Sequence, residues 1–199
     1  MTLRRQICKK VFDLIFSLII ILALLPIFIV IALMIKLESP GPIIYSQWRV
    51  GINGKKFLIY KFRSMYSCET DSEVTSVSRN DPRVTNVGKF IRRYSIDEIP
   101  QFYNVLIGDM SIVGPRPHAI IQDKLYSEEI KIYSQRKVIK PGITGLAQVN
   151  GYRGEISSLN QMENRVLKDI DYIKRNNLVL DTLIILRTIS HFFKNKNIY

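Results

Sequence analysis

The chain has 199 residues, 47% of them hydrophobic, which allows one ordinary core and a membrane segment but excludes a second large domain. The formal net charge of +12 at pH 7 fits three kinds of partner: nucleic acid, anionic lipid headgroups or a phosphorylated substrate. Because the basic residues are scattered between hydrophobic blocks, the pattern favours the last two. Cys8 and Cys68 lie in dissimilar surroundings without metal-ligand spacing, which indicates reduced thiols in a cytosol-facing protein.

An uncharged apolar run covers residues 14–35. At about 1.5 Å per residue it is long enough to cross a hydrocarbon core of about 30 Å. Pro26 near its middle predicts a bend or break, and both flanks are basic, so the positive-inside rule selects no orientation. Two interpretations stay open: a kinked span, or a helix that enters the membrane, turns at Pro26 and leaves on the same face.

Two segments rich in β-branched and aromatic residues come next and predict a β-hairpin. They cover residues 43–50 and 57–62, and the Asn53-Gly54 pair between them is a strong turn signal. The polar stretch that follows, residues 66–80, is rich in Ser and Thr and predicts a loop.

Helical periodicity marks three later segments. The first covers residues 87–110, and residues 141–145, rich in Pro and Gly, predict a loop after it. One face of the second segment is formed by Met162, Val166, Ile170 and Ile173. The last, residues 178–193, is strongly apolar but carries Asp181 and Arg187, so we expect it at an interface or in the core rather than across a bilayer.

Asp97 and Glu98 form a pair of adjacent carboxylates. Ser95 to Glu98 match a capping box, so a purely structural role is one interpretation. The other is catalysis, in which helix-start amides and nearby arginines keep Asp97 ionised as a nucleophile. Glu98 would then help to hold Mg²⁺ on a diphosphate.

Basic residues around this pair are candidate ligands for phosphate oxygens. Arg116, held between two prolines, would be preorganised, and we expect Lys61 and Arg63 to project from one face of the second strand. Taken singly, each basic residue is more often a solvated surface charge, so only their convergence would carry weight. The phosphate-binding candidates are Lys61, Arg63, Arg92 and Arg116, and Arg83 and Arg93 are further active-site candidates.

Ordered motifs extend along nearly the whole chain. They are KFRSM at 61–65, NDPRVT at 80–85, RRYSIDEIPQ at 92–101, NVL at 104–106, GDMS at 108–111, VGPRP at 113–117, KPGITG at 140–145 and AQVNG at 147–151. Together they resemble the bacterial sugar transferases, also called monotopic phosphoglycosyl transferases. The chain is similar to their minimal catalytic form, without the extra N-terminal membrane domain of larger members.

The resemblance implies a specific reaction. A sugar 1-phosphate would pass from a UDP-sugar to undecaprenyl phosphate, with release of UMP and with Mg²⁺ as cofactor, at the cytoplasmic face of the bacterial inner membrane. Asp97 would form a covalent phosphosugar intermediate, and Glu98 would bind the metal. Further active-site positions implied by the resemblance are Lys61, Arg92, Arg116 and Asp169. His118, with GYRGE at 151–155, resembles the subgroup that uses glucose 1-phosphate.

The fold class expected from the resemblance is α+β and membrane-associated. A re-entrant, Pro-kinked helix would occupy residues 1–40, and a catalytic domain with a β-hairpin and several amphipathic interfacial helices would occupy residues 41–199. Membrane lipids would be partners of this surface.

Three alternatives compete with this function. They are a non-catalytic basic scaffold on the membrane, a sugar-only glycosyl transferase that releases UDP, and a nucleic-acid binder, for which no motif is present. The sequence therefore predicts no nucleic-acid partner. It leaves open a homodimer, the exact sugar and the surface glycan served, exopolysaccharide or lipopolysaccharide.

Overall fold

The computed structural model describes residues 3–66, 81–154 and 158–194, so the predicted loop at 66–80 lies, from residue 67 on, outside the described residues. The mixed helix-and-strand architecture predicted from the sequence is confirmed. The elements are α1 (Leu3–Glu38), β1 (Ile44–Val50), β2 (Lys56–Phe62), α2 (Asn86–Arg93), α3 (Gln101–Leu106), β3 (Ser111–Val113), α4 (Ile120–Glu129), β4 (Gly142–Thr144), α5 (Leu146–Val149), α6 (Leu159–Arg175) and α7 (Leu178–Lys194). Short 3₁₀ turns lie at Ile52–Gly54, Ile96–Glu98 and Tyr133–Val138.

Helix α1 is long and apolar. Its 36 residues span roughly 54 Å, and by length and composition it could cross a membrane. Pro26 lies inside the helix, which continues beyond it to Glu38. Only 11% of its most apolar stretch is buried within the protein, so most of the apolar side chains face outward.

The β-hairpin is confirmed. Strands β1 and β2 pair antiparallel, with Ile44 opposite Phe62 and Val50 opposite Lys56. The turn between them places Asn53 at φ 53° and Gly54 at φ 77°, the left-handed region that Asn and Gly adopt most readily. Strand β2 carries Lys61, which is partly buried.

The predicted helical segment at 87–110 is interrupted. Helix α2 ends at Arg93, the 3₁₀ turn Ile96–Glu98 follows, and α3 begins at Gln101. The interruption lies at Ser95, whose φ of 49° is left-handed. This backbone reversal reorients the chain immediately before the carboxylate pair.

The predicted loop at 141–145 is wrong in part, because Gly142–Thr144 forms strand β4 and pairs parallel with β3. The pairing depends on close backbone approach between two glycines. A Cβ atom at Gly142 would lie 2.1 Å from the backbone N of Gly114. The segment that the sequence predicted as a loop therefore forms a strand that pairs with residues 111–113.

The last two helices have the amphipathic character predicted for them. Met162 and Val166 of α6 are fully buried, as the helical spacing predicts. In α7, Ile184 is buried, whereas Val179 and Leu186 are 71% and 57% exposed. Helix α7 therefore presents an apolar outer face beside α1.

Polar contacts fix the N-terminal part of α1 to the rest of the protein. The Lys9 ammonium lies 2.7 Å from a carboxylate oxygen of Asp181 in α7. The Asp181 side chain is fully buried. The Ser111 hydroxyl donates to the Asp13 carboxylate at 2.7 Å. These contacts hold the beginning of the apolar helix against α7 and β3.

The C-terminal end of α1 is held against the same body. The Glu38 carboxylate accepts hydrogen bonds from the backbone N–H groups of Asn86, at 2.7 Å, and Val87, at 3.0 Å. Arg63 donates to the backbone oxygens of Ser39 at 2.7 Å and Pro40 at 2.6 Å. Both ends of the helix thus contact one globular unit.

Candidate active site

The capping box predicted at Ser95 is wrong. The Ser95 side chain makes no capping hydrogen bond; instead its hydroxyl accepts from Arg153 at 2.6 Å. The left-handed backbone at Ser95 turns Glu98 away from the start of the helix and toward β2 and the turn at 114–117. Glu98 therefore contacts Lys61 and Arg116 and takes no part in a capping box.

Glu98 is the centre of a three-membered charge cluster. One of its carboxylate oxygens lies 2.7 Å from the Lys61 ammonium, and the Arg116 guanidinium binds both oxygens, one of them at 3.1 Å. Burial alone would raise the pKa of Glu98, but the charges of Arg116 and Lys61 outweigh it and hold the pKa well below its ordinary value. Glu98 is therefore a fixed anion at neutral pH.

Asp97 has a different environment, although it adjoins Glu98 in the chain. It is 9% exposed, and burial raises its pKa to about 6 against the opposing charges of Lys61 and Arg92. At neutral pH the carboxylate is therefore ionised but poorly solvated. Such an oxygen is a stronger nucleophile than a hydrated one.

Five buried polar side chains lie behind Arg116, and we call them the inner arginine cluster. They are His118, Tyr133, Arg136, Arg165 and Asp169. Arg136 donates to one Asp169 oxygen from Nε at 3.1 Å and from Nη2 at 2.7 Å. The same Nη2 donates to the backbone oxygen of Arg116 at 2.7 Å. Asp169 thus supports Arg116 through Arg136.

His118 belongs to this cluster through its Nδ1 atom. Nδ1 lies 2.6 Å from the Tyr133 hydroxyl and 2.8 Å from Nη1 of Arg136. Burial, together with the charges of Arg136 and Arg165, lowers the pKa of His118 well below its ordinary value, so the ring is neutral.

An apolar groove of about 570 Å³ reaches Glu98 from the side of α1 and α7. Its apolar walls include Phe16, Ile20, Leu24 and Ile27 of α1 and Ile185 and Ile189 of α7. Polar residues in its lining include Ser95, Glu98 and Arg153. The groove can therefore accommodate a hydrocarbon chain with a polar head beside Glu98.

Comparison with known proteins identifies the family. Residues 4–195 match the family model described as bacterial sugar transferase. The chain belongs to this family. The resemblance inferred from the sequence motifs is thereby confirmed.

Curated relatives carry names that describe a specific reaction. The UDP-glucose:undecaprenyl-phosphate glucose-1-phosphate transferase of Escherichia coli (strain K12) is 47% identical over 98% of this chain and 42% of its own length. The Caulobacter vibrioides protein of the same name is 44% identical over 96% of this chain and 72% of its own length. The exopolysaccharide production protein PSS of Rhizobium leguminosarum bv. phaseoli is 43% identical over 92% of this chain and 94% of its own length. The chain thus spans less than half of the first relative and nearly all of the third.

The structure of this bacterial sugar transferase brings together only some of the predicted site residues. Lys61, Glu98 and Arg116 are in contact, and Asp97 lies beside them with Arg92 close enough to affect its pKa. His118 and Asp169 lie behind Arg116 in the inner arginine cluster.

Three predicted site residues, one of them a predicted phosphate ligand, make contacts elsewhere. Arg63 does not project alongside Lys61 as the alternation predicted, because its guanidinium binds the chain beyond α1. Arg83 forms a local ion pair of 2.7 Å with Asp81, and Arg93 lies over the Tyr94 ring, 5.8 Å from its centroid.

Sequence reasoning missed two residues of this site, Arg136 and Arg165. Arg165 lies four residues before Asp169 on α6, so the two occupy one helical face. This spacing was the available signal, but an arginine on an otherwise apolar face reads as a surface charge until its burial is known.

The residues present fit a magnesium ion only in combination with a substrate. Among the described residues, no group of three or more His, Cys, Asp and Glu side chains converges. Mg²⁺ usually takes one or two carboxylates and completes its shell with water and substrate phosphates. Asp97 and Glu98 supply carboxylates of that kind.

Proposed function

We propose that this bacterial sugar transferase moves a hexose 1-phosphate from a UDP-sugar, UDP-glucose, to undecaprenyl phosphate and releases UMP. One structural observation carries the proposal: an apolar groove is lined in part by Glu98, a buried carboxylate that adjoins Asp97 in the chain and is bound by Lys61 and Arg116. The names of the E. coli and C. vibrioides relatives support the choice of substrates. The name of the Rhizobium relative supports a role in exopolysaccharide production.

In the first step, a carboxylate oxygen of Asp97 attacks the phosphorus that bears the sugar. The bond from this phosphorus to the bridging oxygen of the diphosphate breaks, and UMP leaves. The raised pKa of about 6 supports this role, because Asp97 is ionised at neutral pH and still weakly solvated. In the second step, an oxygen of the lipid phosphate attacks the same phosphorus and regenerates Asp97.

Lys61 and Arg116 neutralise charge that builds up on the phosphoryl oxygens. Both are already oriented by Glu98, so little reorganisation is needed when the substrate binds. Arg136 in turn holds the backbone of Arg116. Glu98 is therefore both a fixed anion and an anchor for two cations.

Glu98, together with Asp97, would hold the magnesium ion. When bound, Mg²⁺ supplies charge neutralisation on the diphosphate and stabilises the leaving phosphate. The depressed pKa of Glu98 supports this role, because a metal ligand must be deprotonated at working pH.

The groove supports a lipid as acceptor. A prenyl chain lying between α1 and α7 would bring its phosphate to Glu98 without leaving the apolar environment. The outer faces of α1 and α7 are apolar as well, which supports insertion into the membrane surface.

The placement of α1 supports a re-entrant anchor formed by residues 1–40, with residues 41–199 as the catalytic domain. A helix that crossed the bilayer would have its ends on opposite sides. Here Lys9 and Glu38 both bind groups of one globular unit. A helix that enters and leaves on the cytoplasmic face of the inner membrane, bent at Pro26, satisfies both contacts. Cysteines at positions 3 and 55 would then react from one side of the membrane, and labelling from opposite sides would exclude the anchor.

The nucleotide product tests the proposal. Purified protein would be given UDP-glucose, undecaprenyl phosphate and Mg²⁺. The expected result is sustained UMP release, beyond one equivalent per protein, that requires both lipid and metal; without lipid, release should stop at one equivalent. UDP would mean transfer of the sugar alone. Neither nucleotide, with UDP-glucose or any other UDP-sugar, would favour a non-catalytic membrane scaffold.

A further inference from the structure

The inner arginine cluster contains hydrogen-bond donors that have no acceptor. Arg165 is 4% exposed, and its Nε is enclosed without a hydrogen-bond partner. Within the described part of the chain, its guanidinium makes no hydrogen bond at all. Burial of part of a cation without a hydrogen-bond partner is unfavourable, and a bound anion would offset that cost.

His118 supplies a second such donor. Arg136 can only donate, so its 2.8 Å contact with Nδ1 of His118 makes that nitrogen an acceptor. The proton of the neutral ring is then on Nε2. This Nε2 is buried and has no hydrogen-bond partner.

The charges in this region are also unbalanced. Four cations, Lys61, Arg116, Arg136 and Arg165, face three carboxylates, Asp97, Glu98 and Asp169. Asp169 is bound by Arg136, and Glu98 is bound by Lys61 and Arg116. Arg165 is left with the electrostatic attraction of Asp169 and Tyr133, which does not replace hydrogen bonds.

We propose that Arg165 and Nε2–H of His118 form a phosphate subsite behind Arg116, and that it takes the phosphate of the nucleotide that leaves. Both groups donate, as a phosphate oxygen requires. The inference rests on the proposed function for the identity of the phosphate.

The location favours the nucleotide over the lipid as the source of this phosphate. The described lining of the apolar groove includes Glu98 but none of His118, Arg136 and Arg165. Arg116 connects the two phosphate positions, because its side chain binds Glu98 while its backbone binds Arg136. A diphosphate could therefore lie with one phosphorus at Asp97 and the other at Arg165.

Equilibrium binding of UMP, uridine and geranyl phosphate to the full chain in detergent tests the subsite without turnover. In Arg165→Gln we expect UMP affinity to fall by about 10- to 100-fold, the value of one or two charge-assisted hydrogen bonds. Uridine and geranyl phosphate should bind as they do to the wild type. Arg165→Lys, which keeps the charge, should recover part of the affinity.

Arg175→Gln is the matched control, because Arg175 lies on the same helix, is 62% exposed and pairs with Asp171. It should leave UMP binding unchanged. The melting temperature of ligand-free Arg165→Gln should equal or exceed that of the wild type, because the substitution removes an unpaired buried charge.

Three results would overturn the subsite. They are wild-type UMP affinity in Arg165→Gln, a loss of geranyl phosphate affinity in place of UMP affinity, and equal affinity of the wild type for UMP and uridine. The proposed function fails separately: a chain that binds UMP through Arg165 but releases UDP in turnover would refute sugar-phosphate transfer and keep the subsite.

Discussion

The two sides of Glu98 have opposite physical character. On one side lies the groove between α1 and α7, whose walls are mainly aliphatic and aromatic. On the other side lie Lys61 and Arg116, with the inner arginine cluster behind them. Hydrocarbon is favoured in the first region and phosphate in the second. Under the proposed function, this difference would let a lipid and a water-soluble nucleotide sugar reach one carboxylate pair by separate routes.

Asp97→Asn removes the group that both routes require, so it should have the largest effect. We expect turnover to fall to background, since an amide cannot attack phosphorus. Asp171→Asn, which changes an exposed carboxylate of α6, is the control and should retain activity. Substantial UMP release by Asp97→Asn, measured with both substrates, would remove Asp97 from the mechanism.

The same substitution should stabilise the protein at pH 7. The folded pKa of about 6 lies above the ordinary aspartate value of 3.8, so the cost of ionising Asp97 grows between pH 3.8 and 6 and is complete above pH 6. We expect Asp97→Asn to raise the free energy of unfolding by about 1–3 kcal/mol at pH 7. The gain should shrink as the pH falls from 6 toward 3.8, and urea unfolding at a series of pH values would measure it. A loss of stability at pH 7 would show that the ionised Asp97 carboxylate does not destabilise the folded protein.

Glu98→Gln acts on the cationic side and should have the opposite effect on stability. It leaves Lys61 and Arg116 without their anion in a largely buried site, which should cost about 3 kcal/mol. Urea unfolding of Glu98→Gln and Asp97→Asn under the same conditions compares the two neighbouring carboxylates directly. Activity should fall and depend less on Mg²⁺ concentration. Full activity with unchanged magnesium dependence would contradict the role of Glu98.

The pH dependence of the first step should report on Asp97. Because only the ionised carboxylate attacks, the rate should decline about tenfold per pH unit below about 6 and level off above it. Arg92→Gln removes a charge that lowers the pKa of Asp97, so the midpoint should move to higher pH. Stopped-flow or quenched-flow measurement of UMP formation gives the profile. A rate that is flat between pH 5 and 8 would exclude Asp97 as the titrating nucleophile.

A larger side chain in the groove should weaken binding of the lipid alone. Of the changes considered, we expect it to have the smallest effect. Ile185→Trp adds bulk to the groove wall and should raise KM for undecaprenyl phosphate by roughly tenfold, with UMP binding unchanged. Leu186→Trp, on the adjacent exposed face of α7, is its control. Equal effects of the two substitutions would show that the groove is not the route of the lipid.

Local sequence patterns predicted the elements whose causes are local. Asn53-Gly54 determines the hairpin turn, and the spacing of Met162 and Val166 marks the buried face of α6. The motif order predicted the family. The split of the 87–110 segment escaped prediction because it depends on one left-handed residue, Ser95.

The side-chain partners of the site were harder to predict because they are distant in the sequence. Lys61 and Glu98 meet through the packing of β2 against the turn at 96–98. Arg63 was expected beside Lys61, but tertiary contacts recruit it to the end of α1. Arg165 is distinguished from a surface charge only by its burial. Such properties follow from the whole fold.

The most direct test of a covalent mechanism at Asp97 is the intact mass of the protein after mixing with UDP-glucose and Mg²⁺ in the absence of lipid. We predict an increase equal to one hexose phosphate, together with an equivalent amount of UMP. The adduct should be absent in Asp97→Asn and should disappear from the wild type when undecaprenyl phosphate is added. No adduct in the wild type, with UMP formed only when lipid is present, would contradict the account and indicate direct transfer between the two substrates.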